Sequence, residues 1–308
     1  MITVGVQTKG IIPEYEPKEA AKKIAEAGFT KVDFNLDCFL KNSDIYAGRL
    51  NNFFDADTTT LLKYFQYMKE ALQEQGITPS QMHAPYPIYV PDKPGVSQYM
   101  QQNVIPKSIA IAEVMEIPWV VMHPFKLQYE YGICAEHNTN LEYFKSLIPM
   151  LKQHKVKVCV ENLYGGFAGR ILEGTCADPE EASRYVDRLN EYAGEELFGI
   201  CVDLGHLQLV KRDVYEYITK IGNRLKILHI HENDGEGDLH HMPYTFGGNG
   251  RQGRDWERFI QALREIGYDG TLSFETFPSM NSFPIEVKDE CLRTICAIGN
   301  YWKNRIEE

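Results

Sequence analysis

Three features are missing from this sequence of 308 residues: a long hydrophobic run, a secretory signal and a closely spaced pair of cysteines. The most apolar stretch, residues 109–122, is interrupted by Glu113, Glu116 and Pro118, and it is shorter than the ~20 residues that cross a bilayer. Residues 1–6 resemble a strand and have neither the basic region nor the apolar core of a secretory signal. We therefore expect a cytoplasmic protein that has no membrane partner.

The cysteines and the charge exclude two further classes. The seven cysteines are odd in number and scattered, and none forms a Cys-x-x-Cys pair. A reduced protein with small buried thiols explains this usage better than a disulfide framework does. The 43 acidic and 32 basic residues give a formal net charge of −11, which argues against a broad basic surface for nucleic acid. Hydrophobic residues make up 44% of the chain, which is enough for a large core and excludes a disordered chain.

Short β-branched runs alternate with helical patterns along the whole chain. The predicted strands are 2–7, 31–35, 80–83, 119–123, 157–161, 198–203, 226–231 and 271–275. The predicted helices are 18–27, 59–75, 96–116, 141–154, 179–192, 213–221, 256–266 and 285–302. Eight such units match the parallel strands and crossover helices of one (β/α)8 TIM barrel. No Gly-x-Gly-x-x-Gly loop follows the first strand, which disfavours an open doubly wound sheet. We predict an α/β protein with a single TIM-barrel domain over residues 1–308.

The functional face of a TIM barrel lies at the C-terminal ends of its strands. Each of the last six predicted strands ends in a side chain that can bind a metal: His83, His123, Glu161, Asp203, the pair His229 and His231, and Glu275. Buried carboxylates that meet at one mouth repel each other unless a cation holds them. Mixed imidazole and carboxylate ligands suit Zn²⁺ or Mn²⁺ better than Mg²⁺ or Ca²⁺. The pattern predicts a divalent metal site for Mn²⁺ or Zn²⁺, and Mg²⁺ or Co²⁺ is also compatible with it.

The order of the short motifs resembles the xylose isomerase-like TIM-barrel superfamily, which contains sugar phosphate isomerases and epimerases and also endonuclease IV. The motifs are His-Ala-Pro-Tyr, His-Pro, Glu-Asn, Val-Asp-Leu-Gly-His, His-x-Asn-Asp, Asp-x-His and Glu-Thr, and they extend over nearly the whole chain. The resemblance implies a (β/α)8 barrel with a divalent metal held by Glu161, Asp203, His231 and Glu275.

The ligand from the seventh strand stays open. His229 and His231 are two residues apart, so their side chains point to the same side of a strand. The His-x-Asn-Asp motif selects His231, whereas the epimerase branch, with a longer gap before its Glu-x-Asn, would select His229.

The number of metals stays open as well. Residues of the required type are present at all nine positions of the trinuclear pattern of endonuclease IV. His206, Asp238 and His240 resemble its third-metal set, and His83 and His123 resemble ligands of its remaining zinc. In the alternative interpretation, Asp238 and His240 belong to an ordinary polar loop, and the two other histidines bind substrate hydroxyls.

The first functional hypothesis is a metal-dependent isomerase or epimerase of a small sugar or sugar derivative. The metal would stabilise an enediolate as a Lewis acid, while the metal-bound Glu161 and Glu275 would transfer the proton. His206 would donate a hydrogen bond to a substrate oxygen. Four aromatic side chains are expected to wall the pocket: Tyr86, Tyr89, Phe125 and Tyr164. Three arginines are candidates for a phosphate or carboxylate, although such loop charges are usually solvated: Arg170, Arg251 and Arg254.

The second hypothesis is a trinuclear zinc phosphodiesterase similar to endonuclease IV, which would act on abasic sites in DNA. The full ligand set favours it. The loops 37–57 and 84–95 argue against it, because they hold three cations against five aspartates, and a DNA groove should be richer in lysine and arginine. The glycine-glutamine-glycine loop of that family is also missing after Glu161-Asn162. A metal-dependent lyase would use the same proton abstraction as the isomerase, and a homo-oligomer is compatible with the sequence.

Overall fold

Eight parallel strands form a nearly closed ring in the structure, a computed structural model that describes residues 1–13, 15–247 and 254–308. A short antiparallel hairpin, β6–β7, stands outside this ring. The strands are β1 (Thr3–Gln7), β2 (Lys31–Asn35), β3 (Thr78–His83), β4 (Trp119–Met122), β5 (Lys157–Glu161), β6 (Tyr164–Phe167), β7 (Arg170–Glu173), β8 (Phe198–Asp203), β9 (Leu225–His229) and β10 (Thr271–Phe274).

The order around the ring is β10, β1, β2, β3, β4, β5, β8 and β9, so successive strands of the chain are neighbours in space. The ring closes just beyond β9. The backbone N–H of Ile230 donates to the carbonyl of Ser273 at 2.9 Å, and the N–H of Glu275 donates to the carbonyl of Ile230 at 3.0 Å. This architecture confirms the predicted (β/α)8 TIM barrel. That residues 1–308 form one domain stays a prediction.

Helices connect the strands and cover the outside of the ring. In the described part of the chain they are α1 (Pro17–Glu26), α2 (Asn42–Ala47), α3 (Thr58–Glu74), α4 (Pro94–Tyr99), α5 (Ile105–Val114), α6 (Gly132–His154), α7 (Pro179–Ala193), α8 (Leu204–Leu209), α9 (Val214–Ile221), α10 (Trp256–Glu265), α11 (Phe277–Asn281) and α12 (Lys288–Glu307). None of these helices is both long and apolar enough to cross a bilayer.

Several elements differ from the prediction: α6 begins at Gly132 rather than at residue 141, and β4 ends at Met122, so His123 lies beyond it. The predicted helix 96–116 is divided into α4, a π-helical turn over Met100–Val104 and α5, and Pro106 lacks the N–H that a continuous helix would need there. The predicted strand 226–231 ends at His229, so His231 lies beyond β9. The hairpin β6–β7 was not predicted, because its glycines weaken the strand signal.

A small cluster of apolar side chains fills the interior of the ring: Val121, Cys159, Cys201 and Ile227. Each of these residues lies two positions before a predicted ligand at or just beyond the end of its strand, so both side chains point to the same side. Five of the seven cysteines are buried, as predicted from their usage, and Cys134 is exposed. The apolar layer therefore lies beneath the polar ends of the strands.

Candidate metal centre

Glu161, the last residue of β5, lies at the centre of the functional face and is 1% exposed. Its Oε2 lies 3.1 Å from His123 Nε2 and 3.4 Å from His83 Nε2. Its Oε1 lies 3.4 Å from His206 Nδ1 and 3.6 Å from His229 Nδ1. The barrel therefore places four of the predicted histidines around one carboxylate, although they come from four different strands or strand ends.

Asp203 ends β8 and has two functions there. Both of its carboxylate oxygens lie within hydrogen-bond distance of His231 Nε2, at 3.0 and 2.9 Å. Oδ1 also accepts the backbone N–H of His206 at 2.7 Å and so caps α8. Burial opposes ionisation of Asp203, but the rings of His206 and His231 outweigh it and lower the pKa of the carboxyl to about 2. Asp203 is thus held as an anion at the centre of the face.

Asn162 explains why a Glu-Asn pair ends β5. Its Nδ2 donates to the carbonyl of Asp203 at 3.1 Å, and its Oδ1 accepts the N–H of Asp203 at 2.7 Å. The carbonyl of Asn162 also lies 2.9 Å from His206 Nδ1. These three contacts fix the ends of β5 and β8 relative to each other, and with them the separation between Glu161 and Asp203.

Gly205, in the Val-Asp-Leu-Gly-His motif, leaves room for the ring of His231. A Cβ atom at this position would overlap that ring and would lie 2.6 Å from Asn233 Nδ2. The motif therefore requires a glycine at this position, because any larger residue would collide with His231, a predicted ligand, and with Asn233.

Replacing Gly205 with alanine is expected to displace His231 and to lower the affinity for a divalent cation at least tenfold, as is typical when the support of a ligand is lost. Isothermal titration with Mn²⁺ measures this change. Gly95→Ala is the matched control, because a Cβ atom there meets no atom within 4 Å. Equal metal affinity in the two variants would contradict the assigned role of Gly205.

A second group of side chains lies nearer the solvent, in the loop after β9. Asp238 Oδ2 lies 3.5 Å from His206 Nε2 and 3.3 Å from His240 Nε2. Asn233, from the His-x-Asn-Asp motif, orders this loop by donating to Asp238 Oδ1 at 3.3 Å and by accepting the N–H groups of Leu239 and His240 at 2.6 and 3.1 Å. Although burial favours the neutral ring, Asp203 and Asp238 raise the pKa of His206 to about 10.

His229 lies deeper than His231 and is supported from below by two residues that sequence reasoning missed. Asp33 Oδ2 lies 3.1 Å from His229 Nε2, and it accepts a hydrogen bond from Gln81 Nε2 at 3.0 Å. All three side chains are buried. The available sequence signal was an aspartate between Val32 and Phe34 in β2, since a buried carboxylate requires a partner.

The structure brings both His229 and His231 to the centre, where they contact different carboxylates. His229 Nδ1 lies 3.6 Å from Glu161 Oε1 and 3.4 Å from Glu275 Oε2. His231 contacts Asp203, as described above, and stacks on His240 with ring centroids 3.8 Å apart. Each histidine also forms part of a compact group of ligand atoms with Glu275. The choice between them as a metal ligand therefore stays open.

Buried polar atoms without hydrogen-bond partners test whether a cation fits these residues. Among the described residues, Glu161 Oε2, His229 Nδ1 and His231 Nδ1 are such atoms. Glu161, Asp203 and His206 each offer a ligand atom within 4.8 Å of the others, and so do Asp203, His229 and Glu275. Such orphaned nitrogen and oxygen donors fit a divalent cation with mixed ligands, of the Zn²⁺ or Mn²⁺ type.

A cavity of about 580 Å³ opens beside this centre, and its walls include Glu275, Asp238, His240 and Tyr86. Tyr86 also stacks on His123, with ring centroids 4.0 Å apart, and therefore belongs to the pocket as predicted. This volume is in the range of a small-molecule site.

Other pocket residues predicted from the sequence lie elsewhere. Tyr164 lies beside His206, with ring centroids 5.1 Å apart. Phe125 belongs to the hydrophobic core and stacks on Tyr89, and neither ring lines this cavity. Arg170 is exposed on β7, and Arg254 donates to the carbonyl of Leu204. Arg251 lies outside the described residues.

Comparison with known proteins places this geometry in a family. The model of the xylose isomerase-like TIM barrel family matches residues 21–293. The uncharacterized protein y4fM of Sinorhizobium fredii is 31% identical over 100 residues, which are 32% of this chain and 30% of that protein. A ketose 3-epimerase of Arthrobacter globiformis is 30% identical over 99 residues, which are 32% of this chain and 29% of that protein. The chain thus aligns with less than a third of the length of each of these two relatives.

A crystal structure of a D-tagatose 3-epimerase-like protein superposes with a TM-score of 0.67, covering 97% of this chain and 98% of that one at 19% identity, and so has the same fold. The match of the family model to most of the sequence identifies the family itself. The chain belongs to the xylose isomerase-like TIM barrel family.

Proposed function

We propose that this protein is a divalent-metal-dependent epimerase or isomerase that acts on a small ketose. One observation carries the proposal: Glu161 and Glu275, from strands three places apart around the ring, both reach the same nitrogen of His229, at 3.6 and 3.4 Å. Two carboxylates that face one point from different sides suit a reaction that removes a proton from one face of a carbon and returns it to the other. The partial similarity to a ketose 3-epimerase supports the same class of substrate.

The proposed ligands of the cation are Glu161, Asp203, His231 and Glu275, with His229 as the alternative to His231. When bound, the cation would supply Lewis-acid stabilisation of the negative charge that develops on the substrate oxygens. His83, His123, Asp238 and His240 surround this set and are proposed to bind substrate oxygens or additional metal. The identity of the metal stays a prediction, with Mn²⁺ and Zn²⁺ favoured by the donor set.

The proposed reaction assigns a separate task to each side chain. One of Glu161 and Glu275 removes the proton from the carbon next to the carbonyl, and the other glutamate protonates the resulting enediolate on the opposite face. His206, whose Nε2 lies 3.5 Å from Asp238 Oδ2, is proposed to donate a hydrogen bond to a substrate oxygen. A lyase that begins with the same abstraction would use these residues in the same way.

Proton exchange tests this proposal directly. The metal-loaded protein is incubated in D₂O with D-psicose, D-tagatose and D-fructose, and nuclear magnetic resonance follows deuterium at the carbon next to the carbonyl together with the appearance of the epimer or aldose. We expect exchange and product with at least one of these ketoses or a related one. Failure of every ketose in such a panel to exchange would contradict the proposal.

A second candidate is favoured by a specific observation. His83 and His123 lie beside Glu161, and His206 and His240 lie beside Asp238, with nitrogen–oxygen separations between 3.1 and 3.5 Å. This is the arrangement that a trinuclear phosphodiesterase would need, since clustered metals activate water and stabilise a phosphate.

Metal stoichiometry separates the two candidates. We expect one tightly bound ion per chain in plasma mass spectrometry of the purified protein, because a ketose epimerase needs a single Lewis acid. Three zinc ions per chain, together with nicking of a plasmid that contains abasic sites, would favour the phosphodiesterase instead. The same plasmid without abasic sites is the control substrate. Cytoplasmic location and self-association stay predictions.

A further inference from the structure

Asp33, in the middle of β2, is a buried carboxylate that the proposed chemistry does not use. Within the described part of the chain its carboxylate has two close polar partners, and both meet the same oxygen. Gln81 Nε2 donates to Oδ2 at 3.0 Å, and His229 Nε2 lies 3.1 Å from Oδ2. A carboxylate inside a protein loses its hydration, and only well-placed polar partners offset that loss. The reason for an aspartate at this position therefore lies in its contacts with these two side chains.

The ring of His229 stacks on a neighbouring ring that fixes the plane of the imidazole but not its orientation within the plane. Its centroid lies 5.5 Å from that of His83, and the two planes are inclined by 20°. A half-turn about the Cβ–Cγ bond would keep this plane and would exchange each ring nitrogen with a ring carbon. The stacking therefore does not determine which ring atoms face the metal centre.

The carboxylate of Asp33 distinguishes the two orientations of this ring. In the structure, Nε2 of His229 faces Asp33. The other nitrogen, Nδ1, lies 3.6 Å from Glu161 Oε1 and 3.4 Å from Glu275 Oε2. A half-turned ring would present C–H groups at both places, so all three carboxylates would lose a nitrogen neighbour. The observed orientation is therefore the one that the surrounding carboxylates favour.

The contact between Asp33 and His229 also fixes the position of a proton. An imidazole nitrogen and a carboxylate oxygen that lie 3.1 Å apart and are shielded from water repel each other unless the nitrogen carries hydrogen. Nε2 of His229 is therefore a protonated nitrogen. In metal-binding histidines, a ring N–H directed at a carboxylate fixes both the tautomer and the orientation of the ring.

Gln81 holds the carboxylate of Asp33 in place. The two residues lie opposite each other in the ladder between β2 and β3, and the amide of Gln81 donates to the oxygen that faces His229. Asp33 cannot turn away without losing this hydrogen bond. Because β9 is not a neighbour of β2 in the ring, the contact between Asp33 and His229 crosses the interior of the barrel.

We propose that Asp33 is a positioning residue that orients the ring of His229 and so directs Nδ1 into the gap between the two proposed proton-transfer glutamates. Both glutamates reach this nitrogen, so its position determines how Glu161 and Glu275 face each other. The orientation of the ring follows from the contacts of Asp33, whereas the effect on proton transfer rests on the proposed function.

The test compares three variants with the wild type. Asp33→Asn keeps an oxygen that can accept both the Nε2 proton of His229 and the amide of Gln81, and Asp33→Ala removes that oxygen. Tyr268→Phe is the control, because it also removes a buried hydrogen bond, from the phenol to the carbonyl of Thr271 at 3.0 Å. Thr271 begins β10, so this bond lies at the end of the strand that is far from the functional face.

Two of the measurements do not depend on catalysis. Nitrogen-15 magnetic resonance of the zinc-loaded protein, with the signals of His229 assigned by their loss in His229→Gln, should show a slowly exchanging proton on Nε2 in the wild type and in Asp33→Asn. Asp33→Ala should lose this signal, because the ring can then turn. Isothermal titration with Mn²⁺ should show an affinity that is lower by about tenfold to a hundredfold in Asp33→Ala, and by less than about fivefold in Asp33→Asn, which keeps the support of His229.

Kinetics with a ketose identified by proton exchange supply the third measurement. Asp33→Ala should lower kcat by about tenfold to a hundredfold. The KM should change much less than kcat, because Asp33 does not line the cavity beside the metal centre. Tyr268→Phe should lower the melting temperature but leave the Nε2 signal, the Mn²⁺ affinity and kcat close to those of the wild type.

An Nε2 atom without a proton in the wild type, or equal Mn²⁺ affinity in Asp33→Ala and the wild type, would overturn the positioning role. Equal losses in Asp33→Asn and Asp33→Ala would also overturn it, since the charge and not the orientation would then be responsible. Should Asp33→Ala not fold, Gln81→Met takes its place. This variant frees the carboxylate of Asp33, and an Nε2 proton that then exchanges as slowly as in the wild type would overturn the role of the pair.

The outcomes also separate this inference from the proposed function. Absence of exchange with every ketose, while the Nε2 signal and the Mn²⁺ affinity still depend on Asp33, would overturn the epimerase chemistry and leave the positioning role of Asp33 standing.

Discussion

Replacing Glu161 with glutamine is expected to reduce kcat for epimerisation by about a hundredfold to ten-thousandfold, the range that positioned acids and bases supply. Glutamine has nearly the shape of glutamate but cannot take up or return a proton, and its amide is a poorer ligand. Glu275→Gln should have an effect of similar size, since the reaction needs one group on each face of the substrate. Steady-state kinetics with a ketose identified by proton exchange measure both values.

The two variants also distinguish which glutamate acts on which face of the substrate. Each variant keeps one glutamate that can still remove and return a proton on its own side, so we expect slow deuterium exchange from one epimer without inversion. Circular dichroism should stay unchanged, because the barrel does not depend on these side chains for its core. Glu142→Gln is the control, since this glutamate is 69% exposed on α6. Activity retained in both variants would exclude the two-carboxylate mechanism.

Removal of the metal is expected to abolish turnover and to lower the melting temperature. A ligand present at a hundred times its Kd stabilises the folded protein by about 2.7 kcal/mol, which for a protein of this size corresponds to roughly 4 °C. The centre should gain this much because repulsion among Glu161, Asp203 and Glu275 rises when the cation leaves. Dialysis against a chelator followed by differential scanning calorimetry measures the change, and addition of Mn²⁺ should restore both activity and melting temperature.

Asp203→Asn supplies the control for this experiment. It removes one ligand charge but keeps a group that can accept the N–H of His206 and cap α8. We expect its melting temperature to respond to the chelator by less than half as much as that of the wild type, and its activity to be very low with or without added Mn²⁺. If chelation leaves the activity and the melting temperature of the wild type unchanged, the centre is not a metal site.

Much of the fold and of the candidate site can be predicted from the residues at the C-terminal ends of the strands. Because the side chains at the C-terminal ends of parallel strands meet at one face, His83, Glu161 and Asp203 were predicted to converge without any knowledge of the distances between them. The structure adds that Cys159 and Cys201, two residues before two of these predicted ligands, fill the interior of the ring. The roles of the ligands in binding metal and in catalysis stay predictions.

The remaining features depend on contacts that no local pattern contains. Asp33 supports His229 from a strand 196 positions earlier in the chain, a separation read from the two residue numbers. Lys9 and Asp37 form an ion pair only because β1 and β2 are neighbours in the ring, and each alone has the appearance of a solvated loop charge. The predicted end of β9 was wrong because His231 continues the alternating pattern, although the strand already ends at His229.

The closure of the ring has a consequence for the synthesis of the protein. β1 begins at Thr3, but one of its two neighbours is β10, which spans Thr271–Phe274, and Ile2 is further tied to Glu307 by a hydrogen bond of 2.9 Å. A ribosome must therefore release β10 before the first strand obtains its second partner. The last proposed ligand, Glu275, follows β10 directly, so the proposed ligands can come together only after β10 has left the ribosome and the ring can close.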